Sequence, residues 1–271
     1  MTVESTISAI VLFGLDEHLE ARGIDPYGFG TTCGISDRVW NNSEGQVPLS
    51  QFVQLLESAS AATSEPGFGW RAGVTFNMLS LGNLGEAIMH APTLGAALSN
   101  FSRFMRLIQS TTELRLEIEG DKARLIYRIL DPDIWPRQQD AEFSLSVFLG
   151  IFRWFLGPDW RPTQVIFEHN PLQAVQGWNE ALGSECLFGA GTNIITFPVD
   201  VLGRSAPQSN RNTWRAQTMA LDRMLAERNR KRAVSSRVKS AVLANLGRRP
   251  VDQNTISSQP RLSRRSLHRN L

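Results

Sequence analysis

Cysteine and histidine are scarce in this chain, with two of the former and four of the latter among 271 residues. Cys33 and Cys186 lie far apart, without the dense, even pattern of a secreted disulfide scaffold. They read as buried thiols in a reducing cytoplasm. Neither has a companion Cys or His at ligand spacing, and His18, His90, His169 and His268 are scattered, so neither a metal site nor a cofactor is expected. Long apolar runs are missing as well. None approaches the ~20 residues of a membrane span. Ile10–Leu15 is short and has Glu4 ahead of it, where a secretion signal carries positive charge. No Gly-x-Ser-x-Gly elbow occurs. The Gly-Phe-Gly triplets at 28–30 and 67–69 lack the strand-turn-helix setting of a phosphate loop. Glu168 and His169 are neighbours on an expected strand and so point to opposite faces, which makes them a poor catalytic pair. These absences exclude a membrane protein and the common hydrolytic and metal-dependent enzymes.

What is present is a division of charge. The net charge of +2 is the balance of two unlike halves. Residues 1–202 carry 12 basic and 23 acidic side chains, a net −11, and residues 203–271 carry 16 basic and 3 acidic ones, a net +13. A basic segment of that size points to a polyanionic partner. Its arginines alternate with periodic Leu, Val and Met, so it is expected to fold and not to remain a solvated tail.

Periodicity sets the fold class. Ile7, Ile10, Val11, Leu15 and Leu19 predict a helix over 5–22 that stops at Gly23, and Ser36 opens a short turn ending near Trp40. Leu49, Phe52, Val53, Leu55, Leu56 and Ala59 give the inner face of a helix that ends before Pro66. Pro92 divides the next stretch into helices over 84–90 and 93–108, with Thr93 as N-cap. The period then changes to two at Leu114, Leu116 and Ile118. Gly120-Asp121 turns the chain into Arg124–Leu130, which makes a hairpin. Residues 141–156 are apolar almost all round and read as a buried helix. Strands are expected at 164–169, 186–188 and 193–197, with a helix at 172–182 between the first two. This order means an α+β fold, an N-terminal helical layer packed on a mostly antiparallel sheet. It is followed by a linker helix over about 210–231, a further helix over 236–246, and a last pair of short helices at 254–259 and 264–271.

The helix 141–156 carries more aromatic side chains than one packing face needs. Phe143, Phe148, Phe152, Trp154 and Phe155 lie on it, with Trp135 and Trp160 flanking it. A small-molecule pocket between this helix and the sheet is therefore expected, walled by Trp70, Trp135, Phe143, Phe148 and His169, since such sites are largely apolar with a few polar anchors. The plain alternative is a core helix. On the linker helix, Trp214, Thr218, Leu221 and Leu225 fall at spacings of 4, 3 and 4. That narrow seam docks either on its own domain or on a second copy, and Trp214, Leu221 and Leu225 are the dimerisation candidates.

The tail Thr255–Leu271, with Leu262-Ser-Arg-Arg-Ser-Leu267 opening its last helix, resembles the first helix-turn-helix of the AraC/XylS family of transcription activators. Pro260 departs from the family pattern, which has a helix-compatible residue there. The front of the chain resembles the arabinose-binding-type effector domain of the family's ornithine-regulator-like branch. The match lies in Val47-Pro-Leu-Ser, Pro66–Gly73, Leu81-Gly-Asn-Leu-Gly85, Ala91–Leu98, Phe167-Glu-His-Asn-Pro171, Phe188-Gly-Ala and Phe197-Pro. The resemblance implies an effector-binding sensor over 1–202, a linker and dimerisation helix over 203–232, and a partial helix-turn-helix domain over 233–271, cut within its first motif. Ser263 would cap the reading helix, and Arg264, Arg265, His268 and Arg269 would face double-stranded DNA. A homodimer responding to a small organic effector and acting on RNA polymerase is the implied assembly. Two readings from other classes stand beside this one: an enzyme built on the acidic domain, and a dimerisation module without a ligand.

Overall fold

The computed structural model describes residues 4–40, 42, 44–171 and 175–245, and of 175, 176 and 232–245 the backbone alone. The chain divides into two units, Met1–Thr218 and Met219–Leu271.

The first unit opens with strand β1 (Thr6–Ser8), a single 3-10 turn at Ala9–Leu12, and helix α1 (Leu15–Glu20). The spacing had predicted one helix over 5–22. Pairing with strand β2 (Gln46–Pro48) overrides it, aligning Ile7 with Val47 in an antiparallel ladder. Ser8 caps the 3-10 turn by accepting from the Ile10 amide, and Gly14 at φ 99° breaks the path before α1. Ile7, Val11, Leu15 and Leu19 are buried all the same. A strand, a tight turn and a short helix in series had imitated a helical period.

Helices α2 (Pro26–Thr32) and α3 (Asp37–Trp40) lead to β2 and then to α4 (Leu49–Thr63), whose buried face holds the six apolar residues expected there. Helix α5 (Phe68–Thr75) has no strong sequence period. It is placed by two glycines one turn apart. A Cβ on Gly69 would lie 2.1 Å from the Gln139 carbonyl oxygen, and one on Gly73 would lie 2.5 Å from that of Phe143. Only the missing side chains allow α5 to rest backbone-close on the helix that carries those carbonyls. Helices α6 (Asn83–Met89) and α7 (Leu94–Ile108) follow, and Thr93 caps α7 by accepting from the Ala96 amide at 3.2 Å, as expected.

The hairpin β3 (Thr112–Glu119) and β4 (Lys122–Ile129) pairs Leu114 with Tyr127 and turns at Gly120. Helix α8 (Gln138–Leu156) crosses behind it. Then come β5 (Gln164–Ile166), α9 (Val175–Leu182), β6 (Glu185–Leu187) and β7 (Asn193–Pro198). The five strands stand in the order β3-β4-β7-β5-β6, antiparallel except for β5 with β6. This is the α+β architecture expected, with α8 at its centre. On the sheet side Phe152 meets Phe197 edge to face at 4.7 Å and Tyr127 meets Phe148 at 5.6 Å. On the other side Phe143 meets Phe52 of α4 at 6.1 Å. An apolar helix sandwiched in this way buries every side at roughly 25 cal/mol per Å² of apolar surface, which is why its sequence shows no polar face.

Helix α10 runs without a break from Arg211 to Asn245, where the sequence had suggested two helices separated near residue 233. Among the described residues no helix is long and apolar enough to cross a membrane. The short helices expected at 254–259 and 264–271 lie outside the described residues.

Candidate functional site

Two polar clusters are built at the start of α8. In the first, Arg137 just ahead of the helix donates from Nε to Glu168 Oε1 at 2.9 Å and from Nη2 to Glu168 Oε2 at 2.8 Å, while its Nη1 donates to the Ile129 carbonyl at 3.0 Å. Asn193 of β7 donates to Glu168 Oε1 at 3.0 Å and accepts from the Glu168 amide at 2.9 Å. The pair is buried, fork to fork, and saturated. Such bidentate geometry is the strong form of an ion pair.

The second cluster is centred on Asp140 in the first turn of α8. Its Oδ2 accepts from the Tyr127 hydroxyl at 2.8 Å, and that hydroxyl accepts from Gln109 Nε2 at 3.1 Å. Asp140 Oδ1 is buried and has no hydrogen-bond partner. Burial, with the carboxylates of Glu168 and Glu57 adding to it against Arg137, pushes the Asp140 carboxyl up to about 7. Two residues on, Glu142 is raised further, to about 9, by burial and by Glu57. Its Oε1 lies 3.6 Å from His169 Nε2. Burial lowers the His169 imidazole, and its Nδ1 sits 2.8 Å from the Asn170 carbonyl oxygen. The contact is therefore one between a protonated carboxyl and a neutral ring.

Asp140 and Gln109 of the second cluster also line a cavity of about 40 Å³. Its wall is formed by α8 (Asp140, Phe143, Ser144, Val147, Phe148), α4 (Phe52) and α7 with its exit (Phe101, Met105, Gln109), together with Ile7, Val11, Phe76 and Leu81. A water molecule needs roughly 10–15 Å³ by this kind of measure, so the space holds about three.

Five residues had been expected to wall the pocket, and the structure brings only Phe143 and Phe148 to it. Trp135 is 60% exposed, with the Arg137 guanidinium 5.6 Å from its ring. Trp70 packs edge to face on Trp178 at 5.2 Å, and His169 is buried between Phe167 and Phe188 in that second aromatic group. This cavity lies on the helical side of α8, away from the five-stranded sheet. On the sheet side the surplus rings are consumed in packing, with Phe152 stacked on Trp160 at 4.6 Å and edge-on to Phe197. On the helical side, Phe52 and Phe76 meet Phe143 at 6.1 and 5.5 Å and Phe101 meets Phe148 at 5.4 Å, edge to face, and these five rings border the gap. Sequence reasoning missed Asp140 because it started the helix at 141. The available signal was a pair of carboxylates, Asp140 and Glu142, at the mouth of a run otherwise apolar all round.

Of the seam residues, Trp214 and Leu225 are half-buried and Leu221 is buried, while Met219 and Met224 are exposed. The DNA candidates Ser263, Arg264, Arg265, His268 and Arg269 lie outside the described residues.

Residues 23–206 match the family model described as the arabinose-binding domain of AraC transcription regulator, N-terminal. The chain is 24% identical over 249 residues to the ornithine utilization regulator of Pseudomonas aeruginosa, covering 92% of this chain and 73% of that one. Its fold is similar to the crystal structure of the transcriptional regulator CdpR from Pseudomonas aeruginosa, with a TM-score of 0.61 and 18% identity over 97% of this chain and 78% of the other.

Proposed function

The chain belongs to the AraC family of transcription regulators through its arabinose-binding-type N-terminal domain, and from that premise we propose that the cavity beside Asp140 is where it senses a small organic effector. One observation supports the reading: Asp140, whose buried Oδ1 has no partner, lines a largely apolar cavity inside the N-terminal domain. A buried acceptor left unmade costs about 1–3 kcal/mol, and a ligand with a matching donor removes that cost. Both relatives are regulators, which sets the enzymatic alternative aside.

The domain's name does not describe the ligand. A sugar presents more hydroxyls than Gln109, Asp140 and Ser144 can pair, in a wall otherwise of apolar residues. The named relative concerns ornithine utilization, but an amino acid's carboxylate would meet no cation in this wall. Effector binding is read out through the basic segment 203–271, whose net +13 supports contact with duplex DNA by counterion release. In this scheme the protein is an activator that contacts RNA polymerase as a homodimer, joined through the half-buried Trp214 and Leu225 of α10, while Leu221, already buried within the chain, is left out of the seam. Charged replacements at Trp214 and Leu225 should turn a dimer into a monomer in sedimentation, and an unchanged dimer would move the interface elsewhere.

A thermal-shift screen of small molecules on the full chain tests the sensing role. A true effector raises stability by RT ln(1 + [L]/Kd), and the gain should vanish when Val147→Phe fills the cavity. A screen without any hit sensitive to that filling would leave the dimerisation module as the better reading.

A further inference from the structure

The wall of the cavity contains one carboxylate, Asp140, and no Lys, Arg or His. Asp140 Oδ2 is engaged by Tyr127, so the partner-free Oδ1 remains for a ligand. Around it stand the rings of Phe52, Phe76, Phe101, Phe143 and Phe148. Aromatic faces carry negative charge density and attract cations, more strongly once water is excluded. The net charge beyond the wall has the same sense. Glu57 of α4 acts on Asp140 in that sense, while Glu168 and Arg137, paired fork to fork, largely cancel each other there. The polar groups facing Asp140 from the sheet and from the end of α7, Tyr127 and Gln109, are occupied with each other.

The candidate ligand classes separate on this wall. An anion would face like charge with no counterion. A wholly apolar molecule would leave Oδ1 unpaired. A polyol would bury hydroxyls without partners. We propose that the cavity takes a small organic cation, a compact alkylammonium whose N–H donates to Asp140 Oδ1 while its carbon body lies among the phenylalanine rings. The assignment rests on reading this cavity as the effector site and gives that site its ligand class. The space of about 40 Å³ limits an unrearranged ligand to a few heavy atoms. The raised Asp140 carboxyl, near 7, agrees with it: a bound cation favours the ionised form, so binding should tighten as pH rises from 6 to 8.

The test is calorimetry on the full chain at pH 8 with three probes of equal length, n-propylammonium, 1-propanol and propionate. The ammonium should bind about tenfold tighter than the alcohol, a difference of about 1.4 kcal/mol, and propionate should not bind. Asp140→Asn should reduce the ammonium preference to about twofold, and Val147→Phe should abolish binding of all three. The wild-type series alone decides the charge preference, whatever the fate of the variants. If 1-propanol or propionate binds as tightly as the ammonium, with sensitivity to Val147→Phe, the cation assignment falls and the effector cavity stands. If none of the three shows binding sensitive to that filling, both fall.

Discussion

Arg137 and Asp140 stand one helical turn apart at the start of α8, yet their surroundings differ. Around Arg137 every strong donor and acceptor is matched, through Glu168, Asn193 and the Ile129 carbonyl. Around Asp140 one oxygen is taken by Tyr127 and the other is left bare beside a cavity. A saturated buried network fixes geometry and has nothing to give to a ligand. A buried group kept unsatisfied persists at a cost in stability, and such costs concentrate where a protein binds something. In the proposed function, the contrast separates scaffold from sensor within a single turn of helix.

The largest expected effect lies on the scaffold side. Arg137→Met leaves Glu168 buried without its cation and should lower stability by about 3–5 kcal/mol, read by urea denaturation. The double variant Arg137→Met/Glu168→Gln should recover much of that loss. A single variant as stable as wild type would show that the first cluster is not structural.

On the sensor side, removing charge should stabilise. Asp140 and Glu142 are held at about 7 and about 9 in the fold, above their ordinary carboxyl values, so the folded chain binds more protons than the unfolded one in between. Stability from these groups is therefore complete below the unfolded values and is lost as pH rises, through about 7 for Asp140 and about 9 for Glu142. Glu142→Gln and Asp140→Asn should each gain on the order of 1–3 kcal/mol at pH 8 after relaxation and water entry are allowed for, and little at pH 5. Equal gains at both pH values would contradict the shifts. A smaller effect is expected from Tyr127→Phe, which strips Asp140 Oδ2 of its donor and should cost about 1 kcal/mol while weakening no contact of the Arg137 cluster. Because Arg137 and Glu168 also act on Asp140 and Asn193 donates to the Tyr127 carbonyl, Tyr127→Phe and Arg137→Met together should depart from additivity by about 0.5 kcal/mol or more.

The same contrast explains what could be read from the sequence. The hairpin around Gly120, the inner face of α4, the Thr93 cap and the end of α8 at Leu156 follow from local period and capping chemistry, and all stand in the structure. The first twenty residues did not, because a ladder with β2 decides them. Helix α5 was invisible to periodicity, since two glycines that exclude a side chain from the α8 backbone place it. Phe143 and Phe148, legible as aromatic surplus, line the cavity. The side of the helix with room to spare was not legible, because it depends on how Phe152, Trp160 and Phe197 pack together from three distant segments.

The central claim is that occupancy of the Asp140 cavity is coupled to DNA affinity. Fluorescence anisotropy of a labelled duplex titrated with the full chain tests it directly, comparing wild type, wild type with saturating n-propylammonium, and Val147→Phe. The account predicts that the ammonium shifts the DNA affinity of wild type by a factor of about 5–150 and leaves that of Val147→Phe unchanged. A wild-type DNA affinity identical with the cavity filled and empty would contradict it.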